Sequence, residues 1–342
     1  MKAMILQSIT DLTQNNEPLT MVNMADPVPG DDEVLVKVTA CGVCHTELDE
    51  IEGRTSPPRF PVIPGHQVIG RVEAAGKNVK GLKTGDRIGV AWIFSSCGKC
   101  SYCLEGLENL CHEFKATGRD ANGGYAEYMT VPAAFTYRIP ELFTDSQAAP
   151  LLCAGAVGYR SVKLTGLKNG QNIGLTGFGA SGHIVLQIIR FKYPDSKIFI
   201  FARSKTERAF ALELGAAWTG DTTDSVPELL DTVIDTTPVW KTVVEALKNL
   251  IPGGRLVINA IRKEETDKDY LLNIDYSRHL WMEKEIKSVA NVTRDDVKEF
   301  LDIASEIPII PEVQEYKLEE ANIALTELKQ RKIRGAKVLV IY

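Results

Sequence analysis

One stretch of the sequence decides the fold class: Asn172-Ile173-Gly174-Leu175-Thr176-Gly177-Phe178-Gly179-Ala180-Ser181-Gly182. It reads as an apolar strand, a glycine-rich turn and the start of a helix. In such a turn the first glycine permits the tight bend, the second lets backbone approach a pyrophosphate, and the third lets the helix pack on the strand. The helix N-terminus favours the phosphate charges. We therefore predict a dinucleotide site formed by Gly177, Gly179, Ala180, Ser181 and Gly182.

Strands and helices alternate on the C-terminal side of this turn. Apolar runs typical of strands follow at 197–202, 232–235 and 255–259, and helical segments at 184–192 and 206–214. Such alternation indicates βαβ units and a doubly wound parallel sheet.

The rest of the chain has a different pattern. Up to about residue 152, short apolar stretches such as 33–38 and 88–91 alternate with glycine and proline turns, which favours a barrel-like β domain. Two helices, at 295–305 and 318–329, precede a closing strand at 336–341. We expect an α/β protein of two domains, one from residues 1–154 and 294–342 and the other from residues 155–293.

Composition excludes several classes of partner. The 342 residues are 44% hydrophobic and 25% charged, with a formal net charge of −6. Because no basic block and no membrane-length apolar run stands out, neither nucleic acid nor a membrane is an expected partner. The first residues resemble an early strand rather than a signal peptide, so we expect a cytoplasmic protein.

A cluster of cysteines gives the most specific chemical signal, and it consists of Cys97, Cys100, Cys103 and Cys111. Four thiolates at this short spacing can surround zinc tetrahedrally and leave no position open for substrate, so such a site would be structural. The alternative is four unrelated reduced thiols. The odd total of seven cysteines argues against a complete disulfide framework.

A second constellation is Cys44, His66 and Cys153. A catalytic zinc needs three protein ligands and one open position. Spacing alone does not identify this set, because a lone histidine is more often a hydrogen-bonded polar residue and a buried cysteine often a small hydrophobic one.

The residues after the second strand of the parallel sheet bear on cofactor choice. An NAD site usually carries an acidic residue there, whereas this chain has Arg203, Ser204 and Lys205, which suit the 2′-phosphate of NADP. A solvated loop of ordinary charge is the alternative.

Taken together, these motifs resemble the zinc-containing medium-chain alcohol dehydrogenases over nearly the whole chain. The resemblance rests on the four-cysteine cluster and on the segments Gly42-Val43-Cys44-His45-Thr46-Glu47-Leu48, Gly65-His66-Gln67-Val68-Ile69-Gly70, Gly123-Gly124-Tyr125-Ala126-Glu127-Tyr128 and Leu152-Cys153-Ala154-Gly155. It implies a GroES-like catalytic, zinc-binding domain and a Rossmann cofactor domain, two zinc ions per chain, NADP(H) or NAD(H), and a homodimer or homotetramer.

The resemblance also implies roles for individual residues. Cys44, His66 and Cys153 would hold the catalytic zinc, and Glu47 would orient the histidine. Thr46 would bind the alcohol and start removal of its proton. His45 would contact the cofactor pyrophosphate, and Trp92 would form a wall of the substrate pocket, although a core role for Trp92 stays open on sequence alone.

Two positions depart from the family pattern. Gln67 stands where the family usually has glutamate, which removes a negative charge near the zinc. Asp49 stands where many members have a histidine at the outer end of the proton relay, so the proton would pass through Asp49 or directly to water.

The implied reaction is reversible oxidation of a primary or secondary alcohol to an aldehyde or ketone, with zinc as the Lewis acid and hydride passing to the nicotinamide. A zinc-independent enoyl or quinone reductase of the same fold is the first alternative. A nucleotide-binding protein without catalysis is the second.

Overall fold

A computed structural model describes residues 1–307, 309–330 and 335–342 of the chain. The first part is β-rich, and its elements are β1 (Lys2–Leu6), β2 (Leu19–Asn23), β3 (Glu33–Val43), α1 (His45–Ile51), β4 (Val68–Ala75), β5 (Arg87–Val90), β6 (Ile93–Ser95), α2 (Ser101–Leu104), β7 (Lys115–Ala116), β8 (Tyr128–Pro132), β9 (Thr136–Arg138) and α3 (Asp145–Pro150).

The middle part alternates between helices and strands. Its elements are α4 (Ala156–Thr165), β10 (Ile173–Thr176), α5 (Ala180–Lys192), β11 (Ile198–Phe201), α6 (Lys205–Glu213), β12 (Trp218–Gly220), β13 (Leu230–Asp235), α7 (Trp240–Leu247), β14 (Leu250–Ile258) and β15 (Glu285–Ser288). The closing part contains α8 (Arg294–Glu306), β16 (Val313–Lys317), α9 (Ala321–Lys329) and β17 (Ala336–Val340).

The chain divides into two compact units. The first joins Met1–Cys153 with Val292–Tyr342, and the second is Ala154–Asn291. Both ends of the chain thus build the first unit, and the second is a single insertion.

The first unit is built on a seven-stranded sheet in the order β16-β17-β3-β4-β5-β9, with β8 also pairing with β3. The closing strand β17 returns to this sheet and pairs antiparallel with β3. Along β3 the side chains of Val34, Val36 and Val38 are buried, because alternate residues of a strand face the same side of its sheet. This sheet also leads directly into α1 through the end of β3.

The second unit contains a six-stranded parallel sheet in the order β12-β11-β10-β13-β14-β15. Strands β10 and β11 are buried throughout, as expected for a sheet covered on both faces. The strand order reverses between β10 and β13, and ligands of doubly wound sheets bind at this kind of position. The predicted α/β class with a doubly wound parallel sheet is confirmed.

Some elements differ from the sequence prediction. Strand β14 starts at Leu250 rather than at 255, so it includes Pro252, Gly253 and Gly254. The pairing with β13 shifts register at these residues, because Leu230 pairs with Leu250 and Thr232 pairs with Arg255. The helix predicted at 318–329 begins as a 3₁₀ turn, Leu318–Glu320, and becomes α-helical only at Ala321. In the part of the chain that the structure describes, no helix is long and apolar enough to cross a membrane.

Candidate active site

Cys44 is placed by the start of α1. It is the N-cap residue, with extended backbone, and its Sγ accepts a hydrogen bond from the Thr46 N–H at 3.3 Å. The Cys44 N–H in turn donates to Glu47 Oε2 at 2.9 Å. These two bonds satisfy amide groups that a helix N-terminus otherwise leaves open, and they fix both side chains.

Glu47 also holds His66. Its Oε1 lies 2.5 Å from His66 Nδ1, and both side chains are buried. His66 Nε2 faces Cys44 Sγ at 3.7 Å. Because a carboxylate on Nδ1 favours the proton on that nitrogen, the Nε2 lone pair is available to a metal.

Cys153 completes the cluster from a distant segment. It lies in a π-helical turn, Leu151–Gly155, between α3 and α4. Short π-helical turns are frequent at functional sites, and Pro150 just before this one has no N–H for a regular helix. The ligand atoms of Cys44, His66 and Cys153 lie within 4.8 Å of one another.

This donor set fits zinc. Typical Zn–S and Zn–N distances imply a sulfur–nitrogen separation of about 3.6 Å in a tetrahedron, close to the 3.7 Å between Cys44 and His66. Two sulfurs and one imidazole nitrogen leave a fourth position for a substrate oxygen, which is the ligand count of catalytic zinc.

Electrostatics around these ligands also favour a cation. Burial lowers the pKa of His66, but the Glu47 carboxylate and Cys44 outweigh it, so the pKa lies well above its ordinary value. The hydrogen bond with Cys153, followed by burial, raises the pKa of the Cys44 thiol. A bound divalent cation would take the place of the proton on His66 Nε2 and stabilise the Cys44 thiolate.

The other residues predicted on α1 have distinct surroundings. Thr46 is buried, and His45 is exposed as the first residue of the helix. Asp49 accepts a hydrogen bond from Arg54 Nε at 2.5 Å. Arg54 also pairs with Glu52, so one arginine connects two largely buried carboxylates.

Glu50 is a buried carboxyl that the sequence interpretation missed. It lies one helical turn beyond Glu47, is 1% exposed, and neither of its oxygens has a hydrogen-bond partner among the described residues. Burial and the Glu47 charge raise its pKa well above the usual range. The spacing of three between the two glutamates on a short helix is the signal that could have revealed it.

Trp92 follows β5. Its ring lies 5.0 Å from the Phe114 ring, and the Arg119 guanidinium lies 6.0 Å from the Trp92 ring. The Thr117 N–H donates to the Trp92 carbonyl at 2.8 Å. The Trp92 ring therefore packs against Phe114 and Arg119 within the first unit.

The second cysteine cluster is local. The sulfurs of Cys97, Cys100, Cys103 and Cys111 lie within 4.8 Å of one another. Cys97 and Cys103 are 3.9 Å apart, close to the edge of about 3.8 Å that a tetrahedral Zn–S₄ site requires. Backbone N–H groups of Lys99 and Cys100 lower the pKa of Cys97 to about 6, which favours its thiolate. Four sulfurs suit a closed, structural zinc site.

The glycines of the turn before α5 have different surroundings. A Cβ on Gly177, whose φ is +81°, would lie 2.8 Å from Thr236 Oγ1, and one on Gly182 would lie 2.9 Å from the Gly177 carbonyl oxygen. A Cβ on Gly179, the N-cap of α5, would meet no described atom within 4 Å beyond its chain neighbours. Surrounding atoms therefore leave no room for a side chain at the first and third glycines of the turn. The second glycine faces open space, where a phosphate would approach.

The remaining turn residues, Ala180 and Ser181, form the first turn of α5. Arg203, Ser204 and Lys205 lie just after β11 and are exposed. Ser204 is the N-cap of α6, and its Oγ accepts from the Glu207 N–H at 3.4 Å. The structure thus groups the expected cofactor residues of the second unit at the carboxyl ends of β10 and β11, whereas His45 lies on α1 in the first unit.

Known proteins share this architecture. The family model described as alcohol dehydrogenase GroES-like domain matches residues 30–141. The Mycobacterium tuberculosis (strain CDC 1551 / Oshkosh) protein named probable alcohol dehydrogenase AdhA is 42% identical over 329 residues, which cover 95% of this chain and 93% of that relative.

Two solved structures are similar over their full length. One, assigned as a zinc-binding dehydrogenase from Sinorhizobium meliloti 1021 and bound to NADP, has a TM-score of 0.83 at 26% identity and covers 99% of this chain and 98% of its own. The other is acetophenone reductase from Geotrichum candidum NBRC 4597 in complex with NAD, with a TM-score of 0.82 at 26% identity, and it covers 99% of this chain and 96% of its own.

One unit with two clusters of side chains that could hold a metal and a second unit with a doubly wound parallel sheet together have the architecture of a nicotinamide-dependent dehydrogenase that uses zinc. The chain belongs to the zinc-dependent medium-chain alcohol dehydrogenase family and is an oxidoreductase acting on small molecules.

Proposed function

We propose that this protein interconverts primary or secondary alcohols with aldehydes or ketones, at a catalytic zinc held by Cys44, His66 and Cys153. The observation that carries the proposal is the convergence of these three ligand atoms within 4.8 Å, with His66 oriented by Glu47. Structural zinc sites have four protein ligands, whereas this site has three.

Zinc held by these three residues would supply a Lewis acid for the alcohol or carbonyl oxygen, and the bound nicotinamide would supply the acceptor or donor of hydride. The protein contributes orientation and proton transfer. Thr46, two residues after Cys44, accepts the alcohol proton at its hydroxyl oxygen while its own hydroxyl proton passes on toward Asp49 or water. Glu47 keeps the His66 ring fixed. The proton then leaves through Asp49, which is ion-paired with Arg54, or directly to water. Trp92 forms a wall of the substrate pocket.

Within this proposal the two units have separate tasks. The first carries the catalytic zinc and a structural zinc on Cys97, Cys100, Cys103 and Cys111, and the second binds the cofactor at the Gly177–Gly182 turn. His45 contacts the cofactor pyrophosphate. A cytoplasmic location suits seven cysteines of which none forms a disulfide. The assembly is a homodimer or homotetramer, on the analogy of the family.

The cofactor in this proposal is NADP(H). Similar structures carry either NADP or NAD, so the choice depends on the residues after β11. Arg203 offers a planar fork of donors to a 2′-phosphate, Lys205 a point charge, and the hydroxyl of Ser204 a further donor. The N-terminus of α6, which Ser204 caps, adds a favourable dipole.

The test of cofactor choice compares catalytic efficiencies with NADP and NAD in the wild type and in Arg203→Asp. A charge-assisted hydrogen bond contributes about 1.5–3 kcal/mol, so the variant should lose about tenfold or more of its NADP preference. A wild type that prefers NAD, or an unchanged preference in the variant, would refute this part of the proposal.

The test of the reaction is an absorbance assay of nicotinamide reduction over a panel of aliphatic and aromatic alcohols, with the matching aldehydes and ketones in reverse. Turnover of alcohols that disappears when zinc is removed supports the proposal. Turnover of quinones or activated double bonds by zinc-free protein would instead identify a zinc-independent reductase.

A further inference from the structure

A buried ion pair lies at the carboxyl end of β13, outside the residues assigned above. Asp235, the last residue of β13, is fully buried. Its Oδ1 accepts hydrogen bonds from the hydroxyls of Thr176 and Thr237, and its Oδ2 accepts one from Lys263 Nζ. The side chain of Lys263 is only 7% exposed. Both charges are therefore removed from water and depend on each other.

Lys263 uses its remaining donors on a single loop. Its Nζ also donates to the Thr237 carbonyl at 2.7 Å and to the Val239 carbonyl at 3.2 Å. An ammonium has three donors, so these bonds and the Asp235 bond saturate it. The side chain thus connects the segment after β14 to the backbone of the loop after β13.

That loop packs directly on the cofactor turn. The N–H and the hydroxyl of Thr236 donate to the Thr176 carbonyl at 3.0 and 2.9 Å. Thr236 and Thr237 also fill the space in which a Cβ on Gly177 would lie, at 2.8 and 2.9 Å. The position of the first glycine of the turn therefore depends on a loop that Lys263 fixes.

This network lies at the position in the sheet where a dinucleotide is expected to bind. Thr176 and Asp235 are paired across the neighbouring strands β10 and β13. The strand order reverses between these strands, and dinucleotides bind outside the carboxyl ends of the strands at such a reversal. An ion pair that served only stability could lie anywhere in the core.

We propose that Asp235 and Lys263 are a positioning pair for the cofactor: they hold the loop at 236–239 against Gly177, and so keep the Gly177–Gly182 turn in the shape that binds the pyrophosphate. This inference rests on the proposed cofactor site in that turn. Because the pyrophosphate is common to both cofactors, the pair sets affinity for NAD(H) and NADP(H) alike and leaves the choice between them to residues 203–205.

The experiment separates positioning from stability. Lys263→Met leaves an uncompensated buried carboxylate, which destabilises a protein strongly. The double variant Lys263→Met/Asp235→Asn removes both charges, and the Asn oxygen can still accept from Thr176 and Thr237. The dissociation constants of NADH and NADPH are measured by fluorescence titration of the full-length, zinc-loaded protein, together with the midpoint of thermal unfolding.

We expect both dissociation constants to rise about tenfold in the single variant, with their ratio unchanged. In the double variant the unfolding midpoint should recover while the dissociation constants stay raised. If the double variant recovers wild-type dissociation constants together with its stability, the pair is only structural and the inference is wrong. A change confined to one of the two cofactors would overturn it as well.

The proposed cofactor site is tested separately with Gly179→Ala. If that variant binds both cofactors like the wild type, the turn is not the cofactor site, and the inference falls with it. If Gly179→Ala abolishes binding and the double variant binds normally, the cofactor site stands and only the positioning role is refuted.

Discussion

The surroundings of the turn glycines lead to opposite expectations for the same substitution. At Gly179, alanine has a permitted φ of −87° and open space for its methyl group. Alanine is a poorer N-cap than glycine, by about 1 kcal/mol. This loss is largely offset because alanine lowers the conformational entropy of the unfolded chain. Gly179→Ala should therefore leave thermal stability nearly unchanged and weaken NADPH binding about tenfold or more, because the methyl group occupies the approach to the pyrophosphate.

Gly182→Ala is the matched control for this prediction. Its new methyl group would lie 2.9 Å from the Gly177 carbonyl oxygen, which is backbone and cannot move aside cheaply. We expect a fall of several degrees in the unfolding midpoint, since misfit in packed regions costs about 1–3 kcal/mol. Equal stability losses in the two variants would contradict the assigned glycine roles.

Two cysteines of the first unit allow a similar comparison. Cys153→Ala removes a proposed zinc ligand and should abolish turnover, whereas NADPH binding should persist because the proposed cofactor turn, Gly177–Gly182, lies in the other unit. Cys41→Ala makes the same chemical change at a fully buried thiol without a ligand role, so it should lower stability by about 1 kcal/mol and keep turnover. Assays of turnover and cofactor fluorescence check both. A Cys153→Ala enzyme with substantial activity would remove this residue from the zinc site.

At the scale of elements, an ion pair joins the four-cysteine segment to a helix that is distant in the sequence. Glu108, in the 3₁₀ turn between Cys103 and Cys111, is buried and forms an ion pair with Arg294 at the start of α8. Loss of order in the cysteine segment should therefore lower the free energy of unfolding of the first unit.

Cys100→Ser should lower the unfolding midpoint, because structural zinc contributes directly to folding free energy. The pH dependence of turnover should stay as in the wild type, since this cluster binds no substrate. Calorimetry and a pH–rate profile are the measurements. Unchanged stability combined with lost turnover would require the two zinc roles to be exchanged.

The elements differ in how far the sequence reveals them. Strands β10 and β11 were predictable because strands buried on both faces are continuous apolar runs. Strand β15 was not, because its four residues are all exposed and it joins β14 through backbone pairing alone. The helix α7 was missed although Val243, Val244 and Leu247 lie on its buried face.

The same contrast holds for the sites. The four-cysteine cluster could be predicted from local spacing, as could the turn at Gly177. Cys44, His66 and Cys153 come from separate segments, so only the family resemblance joined them before the fold was known. The Asp235–Lys263 pair depends on the order of strands in the sheet, which no local pattern of residues encodes.

For the whole molecule, the division into units implies that metal and cofactor binding can be lost separately. All ligand atoms of both cysteine-containing clusters belong to the first unit, and the cofactor turn with residues 203–205 belongs to the second. The two clusters also share no ligand. Each zinc should therefore be removable without the other.

The zinc content of the purified chain tests this division. We expect two zinc ions per chain in the wild type, one in His66→Ala and one in Cys100→Ser, because removing a ligand from a three- or four-ligand site strongly weakens zinc binding. His66→Ala also leaves the buried Glu47 carboxylate without its imidazole partner, so its unfolding midpoint should fall below that of the wild type as well. Atomic emission spectroscopy on dialysed protein gives the counts, and NADPH titration of the same samples should show nearly equal affinity in all three. One zinc in the wild type, or loss of both ions from a single substitution, would show that the clusters are not independent metal sites.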